Sequence, residues 1–335
     1  MSALTSAVLG MTAAGLHRAR LTKPLSRIAG YLSRVPRFPI LSYHRVNDER
    51  DPFFPSLPTE VFERHMAFVG DTYVVLPVEE LVERMERGRV PRNALAITFD
   101  DGYRDNLTHA APVLARYGLP ASVFVATGVI GTGKALWFDR LALAFKLTRV
   151  GTYRAPWGSE DRLATTEERL GALGRTLRHL KSVSDEERRR GVEAVLVGLG
   201  VLDDGAFKSL MLSWDDVHAL TGLGVTIGAH TVTHPILARL GPEEARAEIE
   251  GSRDRIAAVC GRRPRAFAYP NGKAEDFAGA VGRLVREAGF SCAVTTVFGV
   301  NTARTSPYAL RRGGPWEKEL PTFALKLAGY RLTQA

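Results

Sequence analysis

The chain has 335 residues, of which 45% are hydrophobic and 24% charged, with 45 Lys and Arg against 36 Asp and Glu for a formal net charge of +9. This composition excludes a disordered or collagen-like chain and provides enough apolar material for a large core. The basic excess is mostly Arg interleaved with acids, as in SDEERRRG (184–191), where Glu and Arg pair across one helical turn, so it reads as solvated helix face and no nucleic-acid partner is expected.

In chain order, the first segment is MSALTSAVLGMTAAGLHRARLTKP. It has no positive residue ahead of its apolar stretch and no clean small-residue cleavage site, which argues against a secretory signal. Residues 3–16 are too short and too rich in small residues to span a bilayer. With the basic cluster His17, Arg18, Arg20, Lys23 and Arg27 they offer peripheral membrane contact instead. A cytoplasmic or membrane-associated location is favoured, with secretion left open, and residues 1–35 are expected to form a helical or partly disordered extension.

From residue 38 onward short apolar runs alternate with amphipathic helical patterns, the rhythm of a parallel sheet wrapped by helices. Strands are expected at 38–44, 73–76, 94–99, 122–126, 225–230, 266–270, 292–296 and near 308–312. Residues 137–222 break this rhythm. They read as consecutive helices with no convincing strand, hence a helical insertion at about 137–222 within one domain spanning 36–335. The two cysteines, Cys260 and Cys292, have no CxxC spacing, so neither a disulfide framework nor a cysteine zinc site is supported.

Loops at the ends of parallel strands converge on one face of a β/α fold, so polar residues there should meet in space. The run ALAITFDDG ends a strand on Asp100 and Asp101. GAHTVTHP places His230 and His234 four residues apart, and ILSYH ends the first strand on His44. Two imidazoles and a carboxylate make a facial site with open positions, suited to Zn²⁺ or a similar divalent ion such as Co²⁺ or Ni²⁺. Adjacent carboxylates repel unless a cation lies between them, which gives the paired acids a reason to exist. A DDG triplet alone is an ordinary turn and HxxxH alone an ordinary core pattern; their joint occurrence at strand ends carries the metal reading.

TFDDG, HTVTHP and the AYPNG turn, in that order, resemble the NodB-type polysaccharide deacetylases of carbohydrate esterase family 4 over roughly residues 36–315. The resemblance implies an α/β fold, a distorted and incomplete (β/α) barrel. It also implies metal-dependent removal of acetyl groups, chiefly N-acetyl, from a polysaccharide or glycoconjugate. Carried over by position, Asp100 is the general base, and Asp101, His230 and His234 hold the metal. Two departures stand out. FAYPNG puts Ala268 where the family has the Arg that holds the base, leaving Arg312 and Tyr269 as candidate supports. The family's late Leu-x-His motif is absent, since His234 is the last histidine. His44 fits the vacant general-acid role, in the manner of poly-N-acetylglucosamine deacetylases whose first strand supplies it. A backbone N–H in the turn at Asn271 is the expected oxyanion donor. Trp137, Asp139 and Trp214 are candidate groove residues, since indole faces stack on sugars.

Rival readings are a catalytically impaired sugar-binding protein of the same fold and an amidase for a non-sugar substrate. GVIGTGKA (128–135) imitates a phosphate-binding loop, but Ala135 replaces the hydroxyl that would hold Mg²⁺. Oligomeric state is not legible.

Overall fold

The computed structural model describes residues 13–14, 36–201, 207–314 and 317–329. The expected extension at 1–35, and the membrane contact it would carry, lies outside the described residues apart from Ala13 and Ala14. No helix among the described residues is long and apolar enough to cross a membrane.

Eight strands form where the apolar runs predict them. They are β1 (Ile40–Tyr43), β2 (Val74–Val75), β3 (Ala94–Phe99), β4 (Ala121–Val125), β7 (Val225–Ala229), β8 (Ala266–Ala268), β9 (Cys292–Phe298) and β10 (Leu310–Arg312). All pair in parallel in the order β1-β3-β4-β7-β8-β9-β10, with β2 beside the start of β3. Gly313, just past β10, donates its N–H to the Ile40 carbonyl at 2.9 Å and accepts from the Ser42 N–H at 3.1 Å, which brings the last strand back to the first. The sheet is therefore a nearly closed barrel. Its central strands are buried on both faces, as β3 shows at all six positions and β4 at all five, so they read as continuous apolar runs, whereas β2 and the end of β9 are partly exposed.

The interior is filled by Ile40, Ala96, Phe124, Ala268, Val294 and Leu310. Gly228 in β7 makes room for the Phe124 ring, since a Cβ there would lie 2.4 Å from it. Outside the barrel, α1 (Thr59–Thr72), α3 (Ala111–Arg116), α8 (Pro242–Cys260) and α9 (Val281–Glu287) bury their apolar stripes in the main core. Helix α2 (Val78–Glu86) lies against β3, and α10 (Leu320–Gly329) against α1.

Between β4 and β7 come α4 (Trp137–Leu147), α5 (Thr166–Ser182) and α6 (Asp185–Gly198), which share a second core around Phe145, Leu173, Leu180 and Val195. Ser184 and Thr165 each head a capping box that starts α6 and α5. The expectation of no strand here is corrected by an antiparallel hairpin, β5 (Thr152–Arg154) and β6 (Glu160–Arg162). Three-residue strands with only Tyr153 and Asp161 buried leave too little alternation to read. Helix α7 (Trp214–Gly222) packs on β7, and its Val217 and Leu220 join the main core instead of the second one.

Candidate active site

The carboxyl ends of β3 and β7 deliver four side chains to one point. β3 stops at Phe99, and Asp100 is held by its N–H to the Tyr43 carbonyl of β1 at 3.1 Å. Asp101 then turns left-handed at φ 76°, followed by Gly102 at 86°, where a Cβ would meet Ile130 at 2.9 Å. After β7, Thr231 and His234 are also left-handed, at φ 64° and 59°. Four of the five non-glycine residues with positive φ among those described lie at this site, the fourth being Asn271. Strain of order 1–3 kcal/mol per residue is thus concentrated where the side chains must be aimed.

Nε2 of His230 and Nε2 of His234 each lie 3.4 Å from Oδ1 of Asp101. The three donor atoms fall within 4.8 Å of one another. Nδ1 of His230 lies 2.7 Å from the Ala268 carbonyl and donates to it, which turns Nε2 toward Asp101. Burial opposes charge on this ring, but the hydrogen bond to Asp101 and the charges of Asp100 and Asp101 outweigh it and hold His230 above the usual imidazole range. Burial, then the charge of His230, pushes His234 down to about 3, so its imidazole is neutral and able to ligate. Burial opposes charge on Asp101, but the hydrogen bond from His230 outweighs it and holds the carboxyl low. Two imidazole nitrogens and one carboxylate oxygen, nearly sealed from water, are a donor set that fits a divalent cation.

The loop carrying the histidines is pinned from outside. Glu248 of α8 accepts from the N–H groups of Val232 and Thr233 at 2.8 and 2.9 Å and from the Thr233 hydroxyl at 2.7 Å. The Trp137 indole N–H donates to the His234 carbonyl at 3.2 Å, with the Arg188 guanidinium 5.0 Å above the indole.

Asp100 is 2% exposed and meets Arg312 through two charge-assisted hydrogen bonds, at 2.8 and 2.6 Å. Arg312 is itself fixed by the Thr295 carbonyl at 2.7 Å and the Thr98 hydroxyl at 3.2 Å. Burial raises the Asp100 carboxyl, yet the Arg312 charge and hydrogen bonds win and hold it below the usual range. The strand-end arginine is thus the cation that meets Asp100. Tyr269 does not support Asp100, because its hydroxyl donates to the Tyr308 carbonyl at 2.9 Å and its ring stacks on Phe277.

His44 Nε2 is 4.0 Å from Asp100 Oδ2, and the side chain is 47% exposed, so it is open to solvent protons. Its backbone carbonyl accepts from Asn106 at 2.8 Å, while buried Asp105 anchors the following residues through Arg45 and Asn47. Asn271 lines the same cavity, its side chain bridging Lys181 at 2.8 Å and Asp276 at 2.7 Å.

Of the proposed groove residues, Trp137 and Asp139 line the cavity and Trp214 does not. The Trp214 indole packs against Gly131, with Arg255 5.0 Å from the ring, as an anchor for α7. Asp139 accepts the Tyr103 hydroxyl at 3.0 Å; burial and the Asp101 charge push it up to about 8. Sequence reading missed Lys181, Phe53, Phe54, Phe138 and the leucines of α5. Tyr103 had a signal, directly after DDG; Lys181 had none, being a helix residue 90 positions from Asn271.

The barrel thus brings together at its strand ends three residues able to hold a metal ion. The chain belongs to the polysaccharide deacetylase family, whose model matches residues 87–293. It is 35% identical over 97 residues to YxkH of Bacillus subtilis, provisionally named a polysaccharide deacetylase, a match covering 28% of this chain and 34% of that protein. It is 31% identical over 87 residues to the poly-β-1,6-N-acetyl-D-glucosamine N-deacetylase of Escherichia coli K12, covering 25% of this chain and 13% of the other. The chain thus matches well under half the length of these relatives. The fold is shared with the Streptococcus pyogenes deacetylase PplD, solved in complex with acetate, at TM-score 0.61 and 18% identity, covering 88% and 99% of the two chains. It is also shared with IcaB from Ammonifex degensii, at TM-score 0.54 and 18% identity, covering 89% and 98%.

Proposed function

We propose that this protein is a metal-dependent hydrolase that removes N-acetyl groups from a GlcNAc-type glycan or glycoconjugate. The observation that carries the reading is the convergence of Asp101, His230 and His234 beside an Asp100 that a buried arginine keeps ionised. A divalent cation held by the first three, Zn²⁺ in the first instance with Co²⁺ or Ni²⁺ as substitutes, would polarise the acetyl carbonyl and make the attacking water more acidic.

Asp100 accepts the proton of that water as the new C–O bond forms. Its paired oxygens stay anionic because Arg312 neutralises them without supplying a proton. The turn at Asn271 is held by Lys181, Asp276 and Thr296, and in this reading a backbone N–H at Asn271 meets the tetrahedral oxygen. His44, on the solvent side of Asp100, donates the proton that lets the amine leave and is recharged from water.

The test compares Asp100→Asn with Asp101→Asn on N-acetylated oligosaccharides, scoring acetate release and Zn²⁺ binding by calorimetry. Asp100→Asn should lose about 10²-fold or more in kcat with Zn²⁺ still bound, and Asp101→Asn should lose both. Acetate release that survives in Asp101→Asn would overturn the proposal.

A further inference from the structure

The geometry points to a substrate that carries an aliphatic chain on its acetylated sugar, with the chain laid along the wall that the insertion contributes to the catalytic cavity. This rests on the deacetylase reading and narrows its substrate class. The cavity, about 570 Å³, is lined by two kinds of side chain. One is the polar set of strand ends already described. The other comprises Phe53 and Phe54 from the segment after β1, Phe138 and Ala142 from α4, and Leu173 and Leu177 from α5. None of these six side chains can donate or accept a hydrogen bond, although Arg45, Ser56, Tyr103 and Asp139 also line the cavity, the Arg45 guanidinium 5.8 Å from the Phe54 ring.

The arrangement is directional. Leu173, Leu177 and Lys181 are spaced four apart along α5, so they form one stripe. The stripe passes from apolar to cationic as it reaches the turn at Asn271, to whose side chain Lys181 donates. The apolar wall also begins at the metal donors themselves, since the Phe138 ring lies 5.2 Å from that of His234. A bound molecule would therefore meet charge and hydrogen-bonding groups at one end and hydrocarbon at the other.

A polysaccharide fits this poorly. Its rings can stack an apolar face on a Phe, but the hydroxyls around their edges would meet Ala142, Leu173 and Leu177, and a hydroxyl buried without a partner weakens binding on the order of 10-fold to 100-fold. An alkyl chain has no such group to satisfy, and each methylene it buries strengthens binding by up to about 4-fold. The wall is continuous with the second core through Phe53, Phe54, Ala142 and Leu173. Packing within the insertion explains why these residues are largely buried, yet leaves their lining of a cavity shared with the catalytic set to be explained by what enters it.

The test measures binding to the full chain by calorimetry, with Zn²⁺ present, for four probes. They are the methyl and octyl β-glycosides of N-acetylglucosamine, the methyl glycoside carrying octanoate at O6, and N-acetylated chitotetraose. One or both octyl-bearing sugars should bind about 100-fold or more tightly than the methyl glycoside, and the better of the two shows where the chain is attached. In Leu177→Asn that ratio should fall below about tenfold, while Arg178→Ala, on the exposed face of α5, should preserve it. Equal affinities for the methyl and octyl sugars, or chitotetraose binding tightest, would overturn the inference whether or not any probe is hydrolysed. Acetate release from the same samples scores the hydrolase reading separately: chain-dependent binding without acetate sinks only the deacetylation, and acetate without chain dependence sinks only the alkyl site.

Discussion

The Asp100–Arg312 pair is the sharpest lever on this structure. Both residues are 2% exposed, and the guanidinium makes four contacts: two to Asp100, one to Thr295 and one to Thr98. Arg312→Met keeps much of the volume but leaves a buried carboxylate without its cation, which costs about 3–5 kcal/mol. Against a total stability of about 5–15 kcal/mol, that is a large fraction. Asp100→Asn should cost a similar amount by stranding the guanidinium. The double variant carries neither charge, so it should be more stable than the sum predicts by at least about 2 kcal/mol. Urea denaturation of the four proteins at 25 °C measures this coupling. The pH dependence carries a sign. Asp100 is held below its unfolded value, so its contribution is present above the ordinary carboxylate range and is lost as pH falls through the folded value. The gap between wild type and Arg312→Met should therefore narrow in acid, and the acid limb of activity in that variant should move to higher pH. Additive single effects, within about 0.5 kcal/mol, would refute the claim that the pair acts as a unit.

Other residues set further expected outcomes. His65, fully buried against Phe323, is pushed by burial from 6.5 down to about 4, so between those values the unfolded chain binds more protons and stability rises with pH. The gain across that window is about 3 kcal/mol, and His65→Leu should flatten it in thermal melts recorded from pH 4 to 7. Gly228→Ala places a Cβ 2.4 Å from the Phe124 ring and 2.9 Å from the Ala266 carbonyl; it should destabilise by about 1–3 kcal/mol in urea, and a neutral result would mean the barrel interior yields more than its packing indicates. Glu248→Gln replaces one acceptor oxygen with a donor facing the 232–233 segment, so calorimetry should find Zn²⁺ affinity reduced about 10–100-fold with little change in melting temperature.

The strands were legible because a parallel strand buried on both faces must be apolar along its whole length, as ALAITF and ASVFV are. The same logic exposed the site: charged residues that interrupt such runs at their carboxyl ends, Asp100, Asp101 and His230, have a reason to be there other than packing. His234 followed from its spacing. The hairpin of β5 and β6 was not legible, since its three-residue strands carry almost no pattern. Trp214 and Trp137 looked equivalent as helix-starting indoles, but one faces Gly131 and the other the cavity.

Local pattern thus determined which segments are strands, where they stop and which side chains are offered at the stop. Only closure of the barrel decided which distant groups answer them. Arg312 reaches Asp100 across 212 positions because β10 returns beside β1, and Lys181 reaches Asn271 because the insertion folds back over the strand ends. Periodicity records each residue's own burial, whereas an ion pair depends on the positions of two residues at once.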